Sequence, residues 1–469
     1  MKPADLSSVK FGTSGVRGLV ADLTDKVCYI FTRAFIESLA SDAETVVIGH
    51  DLRPSSPAIT SACIAAIEDS VCRVIYAGAL PTPAIACYAI DNQRPAVVVT
   101  GSHIPYDRNG IKFYRPDGEI TKADEDAITS ADVTVPEAID INPLPAIEQN
   151  VHDAYIRRYV EFFGAGSLSG MRVAVYQHSS VARDIIKIVL ESLGADVIPL
   201  GRTDLFVPVD TEAVREEDVL QAEQWAREYT FDALVTTDGD ADRPMIADEN
   251  GQWLRGDIVG ILTAMYACVG VVVTPVSSNT ALEKSGFFDT TVRTRIGSPY
   301  VIDGMQQADQ HKTVVGFEAN GGFLLGSDLL RDGRKLSALP TRDALLPILA
   351  LLSMARERKC RVSELPSLLP QRYTASDRIK DFPVEKSRSV IAALTESRQA
   401  AGRLLAPDCG AIVDVDTTDG FRATFESGDI VHLRPSGNAP ELRCYTESDS
   451  PGRARRLCEE CLLRVMGIG

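Results

Sequence analysis

The chain has 469 residues, of which 45% are hydrophobic and 24% are charged, and its formal net charge at pH 7 is −17. This length exceeds what one hydrophobic core accommodates and indicates several domains of an ordinary globular protein. The acidic balance excludes nucleic acid and anionic membranes as bulk partners, so any local cluster of Arg and Lys is a candidate anion site.

The N-terminal segment M-K-P-A-D-L-S-S-V-K has no apolar core and does not fit a signal peptide. Ten irregularly spaced cysteines then favour reduced thiols and a cytoplasmic protein. Cys458 and Cys461 form a C-x-x-C inside an amphipathic helix pattern, with no second pair to complete a zinc site. The uncharged stretch 258–282 is long enough to span a membrane, but Gly270 and Pro275 divide it, which favours a buried helix followed by a buried strand.

A strand–loop–helix pattern occurs three times and predicts three α/β domains of related topology. In each copy, a short β-branched run ends in a Ser-Ser turn suited to capping the following helix. The predicted strands and helices are 45–48 with 57–70, 172–176 with 181–193, and 271–274 with 280–284.

The C-terminal part of the sequence has a different pattern. Short strands at 410–415, 421–425 and 430–433 precede a terminal helix, which indicates a smaller α+β domain. We therefore predict four domains, at residues 1–150, 151–255, 256–365 and 366–469.

Ser102 is the first residue with candidate chemistry. It lies in T-G-S-H-I-P, directly after the apolar strand pattern at 96–99. The strand before it and Pro105 after it predict an exposed loop of fixed shape. A hydroxyl in such a loop can carry a phosphoryl group if cations gather around it, and His103 beside it can pass protons or hydrogen-bond the loop.

An acidic loop follows the strand pattern F-D-A-L-V-T-T. Asp238, Asp240 and Asp242 are spaced by two residues, so their carboxylates can face one divalent cation, and an all-oxygen ligand set favours Mg²⁺ over zinc. Arg243 beside them can reach a phosphoryl oxygen. An acidic turn without metal is the alternative. A calcium EF-hand is excluded because Arg243 and Pro244 stand where that loop needs glycine.

The segment R-P-S-G-N-A-P-E-L-R predicts an anion-binding turn. Glycine lets backbone N–H groups turn inward, while serine, asparagine and two arginines add donors and charge. A surface turn between strands is the alternative. The residues concerned are Arg434, Ser436, Gly437, Asn438 and Arg443.

Three further candidates are weaker when each is taken singly. Glu318 and Asn320, in G-F-E-A-N-G-G, offer a carboxylate and an amide that suit paired sugar hydroxyls, or they belong to a structural turn. Arg17 lies in the glycine-rich segment F-G-T-S-G-V-R-G, and Lys112 is either a site residue or a strand-edge lysine.

Taken in order, these segments resemble the α-D-phosphohexomutase superfamily over nearly the whole chain. The resemblance implies four domains around a central cleft, with the last one hinged over it. It implies Ser102 as phosphoserine and, with the three aspartates, as a Mg²⁺ ligand. The other roles that it implies are sugar recognition by Glu318 and Asn320, phosphate binding by Arg434, Ser436, Gly437, Asn438 and Arg443, and catalysis by Arg17, His103, Lys112 and Arg243.

The implied reaction is the interconversion of hexose 6-phosphate and hexose 1-phosphate through phosphoserine and a hexose 1,6-bisphosphate, in a monomer or homodimer. Phosphomannomutase is the activity we favour; phosphoglucomutase and phosphoglucosamine mutase stay open. So do a catalytically silent sugar-phosphate sensor and a phosphatase with Asp238 as nucleophile. Many relatives have a basic residue after Gly297, where this chain has Ser298 and Pro299, so the general base is open. Gly101, Ile104 and Asn320 also depart from the common pattern.

Overall fold

The computed structural model describes residues 1–6, 8–12, 15–39, 43–436 and 440–467, which form four consecutive units. The first three units are α/β and the fourth is α+β, as the sequence predicted. Within the described residues, the search for a helix of membrane-spanning length and apolarity finds none.

The first unit contains a seven-stranded sheet. Its elements are β1 (Lys10–Phe11), β2 (Val16–Leu19), α1 (Asp25–Ser38), β3 (Thr45–His50), α2 (Ser56–Asp69), β4 (Arg73–Ala79), α3 (Thr82–Asp91), β5 (Ala96–Val99), β6 (Arg108–Arg115), β7 (Gly118–Glu119) and α4 (Lys122–Ser130). The strand order is β1-β2-β6-β5-β3-β4, and β7 pairs with β6.

The second unit contains a four-stranded sheet of order β11-β10-β8-β9. Its elements are α5 (Gln149–Phe163), β8 (Arg172–His178), α6 (Arg183–Ser192), β9 (Asp196–Arg202), α7 (Glu216–Glu228), β10 (Ala233–Thr237) and β11 (Pro244–Ala247).

The third unit contains a five-stranded sheet of order β13-β12-β14-β15-β18 and a two-stranded ribbon, β16-β17. Its elements are α8 (Gly256–Tyr266), β12 (Val271–Pro275), α9 (Ala281–Lys284), β13 (Thr290–Thr294), α10 (Ser298–Gln307), β14 (Val314–Phe317), β15 (Phe323–Leu325), β16 (Leu329–Arg331), β17 (Arg334–Leu336), β18 (Leu339–Asp343) and α11 (Leu345–Arg358). The uncharged stretch 258–282 is thus a buried helix and a buried strand, as predicted.

The fourth unit has an antiparallel sheet of order β19-β23-β22-β21-β20. Its elements are β19 (Tyr373–Ile379), α12 (Val384–Glu396), α13 (Arg398–Leu405), β20 (Ile412–Asp416), β21 (Phe421–Phe425), β22 (Ile430–Pro435), β23 (Leu442–Ser448) and α14 (Pro451–Met466). Cys458 and Cys461 are buried in α14, and all ten cysteines are free thiols.

One topology is shared by the first three sheets. In each, a central strand (β3, β8 or β12) pairs in parallel with two neighbours. The later of these neighbours (β5, β10 or β14) then pairs with an antiparallel strand that follows it directly in the chain. The repeat predicted from three strand–loop–helix patterns is therefore confirmed at the level of strand order and direction.

The predicted capping by the Ser-Ser turns is found only at α6, where Ser180 accepts the N–H of the N-cap residue Ala182 at 3.1 Å. None of the helices α2, α6 and α9 begins with a side-chain hydrogen bond from its N-cap residue. At α2 and α9 the serine hydroxyls instead bond to buried groups at the end of the preceding strand: Ser56 donates to Asp51 (2.6 Å) and Ser278 bonds to Thr274 (2.7 Å). These hydroxyls pair with buried polar atoms because leaving a buried polar atom without a hydrogen bond costs more free energy than a helix cap contributes.

A continuous hydrophobic core runs through the first three units, from Val47 to Leu369, whereas the fourth unit has a core of its own, from Phe382 to Val465. Polar contacts join the fourth unit to the third. Glu447 accepts hydrogen bonds from the N–H and the hydroxyl of Thr280, and Asp419 accepts the N–H of Ile296 at 3.0 Å. A unit with a separate core and a polar junction can move as a body, which is what the predicted hinge requires.

Candidate active site

Three loops occupy the same position in the shared topology and converge on one site. They are residues 100–107 between β5 and β6, 238–243 between β10 and β11, and 318–322 between β14 and β15. Each leaves the carboxyl end of a strand in the parallel part of its sheet, the edge at which α/β proteins bind ligands. The predicted serine, aspartate and sugar loops are thus equivalent parts of three repeated units.

Ser102 lies at the centre of this arrangement. Its hydroxyl donates to Oδ2 of Asp238 at 2.7 Å, and its Oγ lies 3.2 Å from Nδ1 of His103. The residue is 1% exposed and has a φ of +53°, a left-handed conformation that costs a non-glycine residue about 1–3 kcal/mol. Surrounding contacts therefore hold the hydroxyl towards the aspartates.

The three aspartates form a buried cluster whose ligand oxygens lie within 4.8 Å of one another. Oδ1 of Asp240 and Oδ1 of Asp242 are buried and have no hydrogen-bond partner among the described residues. Buried carboxylate oxygens without partners are costly, and a small divalent cation satisfies several of them at once. The donor set therefore fits a hard cation with oxygen ligands.

Two groups of the first unit meet these aspartates. Nζ of Lys112 donates to Asp240 (2.7 Å) and to Asp242 (2.8 Å), and the hydroxyl of Thr82 donates to Asp240 (2.7 Å). Burial opposes the charged amine, but the two carboxylates outweigh it and raise the pKa of Lys112 above its ordinary value. Lys112 is therefore a charged site residue and not a strand-edge lysine.

Guanidinium groups lie near His103, the neighbour of the serine. Nη1 of Arg243 lies 3.1 Å from Nδ1 of His103, and since a guanidinium only donates, that nitrogen is unprotonated. Burial and then Arg243 lower the pKa of His103 to about 3, so the imidazole is neutral. Burial together with Arg243 and Arg342 lowers the pKa of Arg17 to about 10. These cations repel one another, and a phosphoryl group among them would relieve the repulsion.

The loop at 318–322 contacts the aspartate loop at 238–243 through Arg342 of β18. This guanidinium is 3.3 Å from Oε2 of Glu318 and 2.9 Å from Oδ2 of Asp242. Gly322 makes room for it, because a Cβ there would lie 2.7 Å from Cδ of Arg342. Oδ1 of Asn320 accepts the N–H of Gly322 at 2.9 Å and so shapes the loop.

The predicted phosphate loop lies between β22 and β23. Nε of Arg434 is 3.2 Å from Asp419, and the N–H of Ser436 donates to the carbonyl of Glu441 at 2.9 Å. Gly437 and Asn438 lie outside the described residues.

Glu212 of the second unit lies within electrostatic range of arginines from two units. Burial and Asp210 raise the pKa of its carboxyl, while Arg443 of β23 and Arg243 of the aspartate loop act on it in the opposite direction.

Ser298 does not supply a replacement for the basic residue common in relatives. It is fully buried at the start of α10, and its hydroxyl donates to Glu119 at 3.2 Å. Glu119 also accepts from Thr341 at 2.7 Å. Ser298 thus joins the first and third units.

Sequence reasoning missed Arg342, Thr82 and Glu212. Each comes from an element that carries no other predicted site residue and has no motif around it. The sequence offered one signal, and it concerned Arg342. The pair Gly321-Gly322 after Asn320 leaves space beside the backbone that a long side chain can fill.

Four family models match consecutive parts of the chain. They describe phosphoglucomutase/phosphomannomutase α/β/α domains I, II and III and the C-terminal domain, and match residues 8–133, 153–251, 255–373 and 359–463. The resemblance seen in the sequence is thereby confirmed. The chain belongs to the phosphoglucomutase/phosphomannomutase family and is an isomerase of the phosphohexomutase type.

Individual relatives agree with this assignment. A phosphomannomutase of Salmonella muenchen is 46% identical over 467 residues, covering 98% of this chain and 96% of the relative. A phosphomannomutase of Sinorhizobium fredii is 43% identical, covering 97% and 98%. A crystal structure of a Thermus thermophilus protein shares the fold, with a TM-score of 0.79 at 23% identity over 98% and 99% of the two chains.

Proposed function

We propose that this protein is a phosphomannomutase that interconverts mannose 6-phosphate and mannose 1-phosphate through phospho-Ser102 and mannose 1,6-bisphosphate. The observation that carries the proposal is the contact of Ser102 Oγ with Asp238 at 2.7 Å, in a buried site that also holds Lys112 and Arg243. The favoured sugar rests on the two relatives at 46% and 43% identity, both phosphomannomutases. Glucose and glucosamine phosphates are the competing substrates.

In the first half-reaction, the bond between phosphorus and Ser102 Oγ breaks as a bond forms to the free hydroxyl oxygen of the sugar phosphate. A base in the cleft accepts the proton of the sugar hydroxyl, and the serine oxygen is protonated as its bond to phosphorus breaks. In the second half, Ser102 attacks the other phosphate of the bisphosphate, which has turned over. Neutral His103, 3.2 Å from Oγ, is positioned to take the serine proton.

The cations hold the phosphoryl group during transfer. Arg243 and Arg17 can bind its oxygens, because guanidinium groups pair with phosphate through several hydrogen bonds. Asp238, Asp240 and Asp242 would hold Mg²⁺ together with Ser102, and the ion would offset the negative charge of the transferring group. Lys112 keeps two of these carboxylates in place.

The fourth unit and the third unit bind the rest of the substrate. Arg434, Ser436 and Arg443 form a cradle for the phosphate that is not transferred, with Gly437 and Asn438 as further expected donors. Glu318 and Asn320 face the sugar hydroxyls, as a carboxylate and an amide can each bond two of them. Since the bisphosphate must reorient without escape, we expect the fourth unit to close over it.

The test is a labelling experiment on the purified protein with Mg²⁺ and labelled hexose 1,6-bisphosphate. We expect label on the peptide that contains Ser102, and none in Ser102→Ala, whose kcat should fall by at least about three orders of magnitude. Ser130→Ala, on an exposed helix end, is the matched control and should keep both. Label on Asp238 would indicate a phosphatase, and sugar-phosphate binding without label would indicate a sensor.

The sugar is tested separately from the mechanism. kcat/KM for mannose 1-phosphate should exceed that for glucose 1-phosphate and glucosamine 1-phosphate. A higher value for either competitor would refute the assignment to mannose and leave the mutase mechanism standing.

A further inference from the structure

A buried arginine lies directly beneath the serine loop. Arg53 follows β3, is 1% exposed, and gives all of its Nη hydrogen bonds to backbone carbonyls of that loop and of the first residue of β6. Nη1 donates to Pro105 (2.7 Å) and Arg108 (2.9 Å). Nη2 donates to Ser102 (2.9 Å) and Ile104 (2.5 Å). One planar group therefore fixes four carbonyls within seven residues.

Asp51 completes this support. Its carboxylate lies 3.3 Å from Nε of Arg53 and accepts the hydroxyl of Thr100 (2.7 Å) and the N–H of Gly101 (3.3 Å). Thr100 Oγ1 in turn accepts the N–H of Ser102 at 2.8 Å. Both backbone polar groups of Ser102 are thus fixed by this pair, the carbonyl by Arg53 directly and the N–H by Asp51 through Thr100.

The guanidinium is enclosed by two further residues. The ring of Phe206, from the second unit, has its centroid 4.0 Å from Cζ of Arg53. A Cβ at Gly101 would lie 2.6 Å from Cζ and from Nε, so only glycine allows this approach without a shift of the arginine. The support of the serine loop therefore includes a contact with the unit that carries the aspartates.

We propose that Arg53, paired with Asp51 and covered by Phe206, is a positioning residue that holds Ser102 in the left-handed conformation in which Oγ faces Asp238. The proposal rests on the proposed role of Ser102 as phosphoryl carrier. Without the four carbonyl bonds the loop would relax to an ordinary φ and carry Oγ away from Asp238. Because Arg53 is buried below the loop, sugar binding in the cleft does not depend on it.

Arg53→Lys is the first test. Lysine keeps a positive charge beside Asp51, but one ammonium nitrogen with three N–H groups cannot serve four carbonyls and a carboxylate. We expect kcat to fall by about 10²-fold, the cost of a displacement of about 1 Å in a reacting group, while KM changes by less than about threefold. Arg33→Lys, on α1 and bonded to Glu37 and Ser70, is the matched control and should change neither.

Binding of mannose 6-phosphate by calorimetry separates positioning from general damage. A folded Arg53→Lys protein should bind it with a Kd within about threefold of wild type. A kcat within about threefold of wild type would overturn the proposal, as would a parallel loss of sugar-phosphate affinity.

If circular dichroism shows that Arg53→Lys is unfolded, the Phe206→Leu variant tests the proposal in its place. This variant keeps all four carbonyl bonds but uncovers the guanidinium, so kcat should fall by about three- to tenfold at unchanged KM. A wild-type kcat would overturn the proposal. Wild-type protein that lacks mutase activity, or carries no label on Ser102, would instead refute the proposed function.

Discussion

Replacement of Lys112 by methionine tests, through protein stability and without an activity assay, whether this lysine balances the charge of the aspartate cluster. The ammonium is 3% exposed and bonds Asp240 and Asp242 at 2.7 and 2.8 Å. Methionine has a similar length and no charge. Lys112→Met therefore leaves two buried carboxylates without their shared cation.

The expected loss of folding free energy follows from the two distances between Lys112 and the carboxylates. At an effective dielectric constant of about 20, each contact is worth ~6 kcal/mol of Coulomb attraction, from which the desolvation of the ammonium must be subtracted. Removal of one partner from a buried ion pair costs about 3–5 kcal/mol. Because the first three units share one core, the cooperative unit has about 370 residues, and this loss corresponds to a decrease in Tm of about 5 °C.

A divalent cation should reverse most of this loss. The ion takes over the carboxylate oxygens that Lys112 leaves, and a ligand at 100 times its Kd stabilises the folded state by about 2.7 kcal/mol. We therefore expect Mg²⁺ to raise Tm more in Lys112→Met than in wild type, because the variant has no competing ammonium.

The assay is differential scanning calorimetry of both proteins in EDTA and in Mg²⁺. Lys122→Met, which removes an exposed ammonium paired with Glu125, is the control and should change Tm by less than about 2 °C. The reasoning about charge balance is refuted if Lys112→Met has the Tm of wild type in EDTA, or if Mg²⁺ raises both proteins equally.

Three other predictions concern single side chains. Burial lowers the pKa of His432 to about 4, so its contribution to stability is present above pH 6.5 and is lost as the pH falls towards 4; by urea denaturation, wild type should lose about 3 kcal/mol more over this range than His432→Gln does, and equal losses would contradict this. Arg342→Gln removes the guanidinium shared by Asp242 and Glu318, so the Kd for mannose 6-phosphate should rise about tenfold by calorimetry; an unchanged Kd would exclude coupling between the two loops. Asn320→Ser shortens the side chain that shapes the sugar loop, and should change the ratio of kcat/KM for mannose and glucose phosphates; a constant ratio would remove Asn320 from the specificity argument.

The fold was predictable because its strands are short β-branched runs, and the candidate site residues follow directly after several of them. The stretch 96–99 is a continuous apolar segment, and the strand 233–237 before Asp238 is uncharged and fully buried, as is typical of strands covered on both faces. Capping was mispredicted at α2 and α9 because hydroxyl partners lie at the end of the sheet, which local sequence does not reveal. Residues 437–439 lie outside the described part of the chain, so the predicted roles of Gly437 and Asn438 stay predictions.

The site was predictable only where its residues are contiguous. Ser102 with His103, and the three aspartates with Arg243, stand in short motifs whose members are close together in the sequence. Arg342 and Arg53 reach the same place by folding, from strands and loops whose local patterns are those of ordinary surface arginines. Their importance depends on what they contact, and that information is in the tertiary structure alone.

The equivalent position of the serine, aspartate and sugar loops has a consequence for the origin of the enzyme. If one ancestral α/β unit was duplicated, the same strand-to-strand loop would have been present three times around one cleft before any copy acquired its own role. The roles proposed for the three loops, with the serine as nucleophile, the aspartates as metal ligands and the third loop as sugar contact, would then have required only local substitutions in each copy. Exchange of one such loop for its counterpart should leave the host module folded while abolishing turnover.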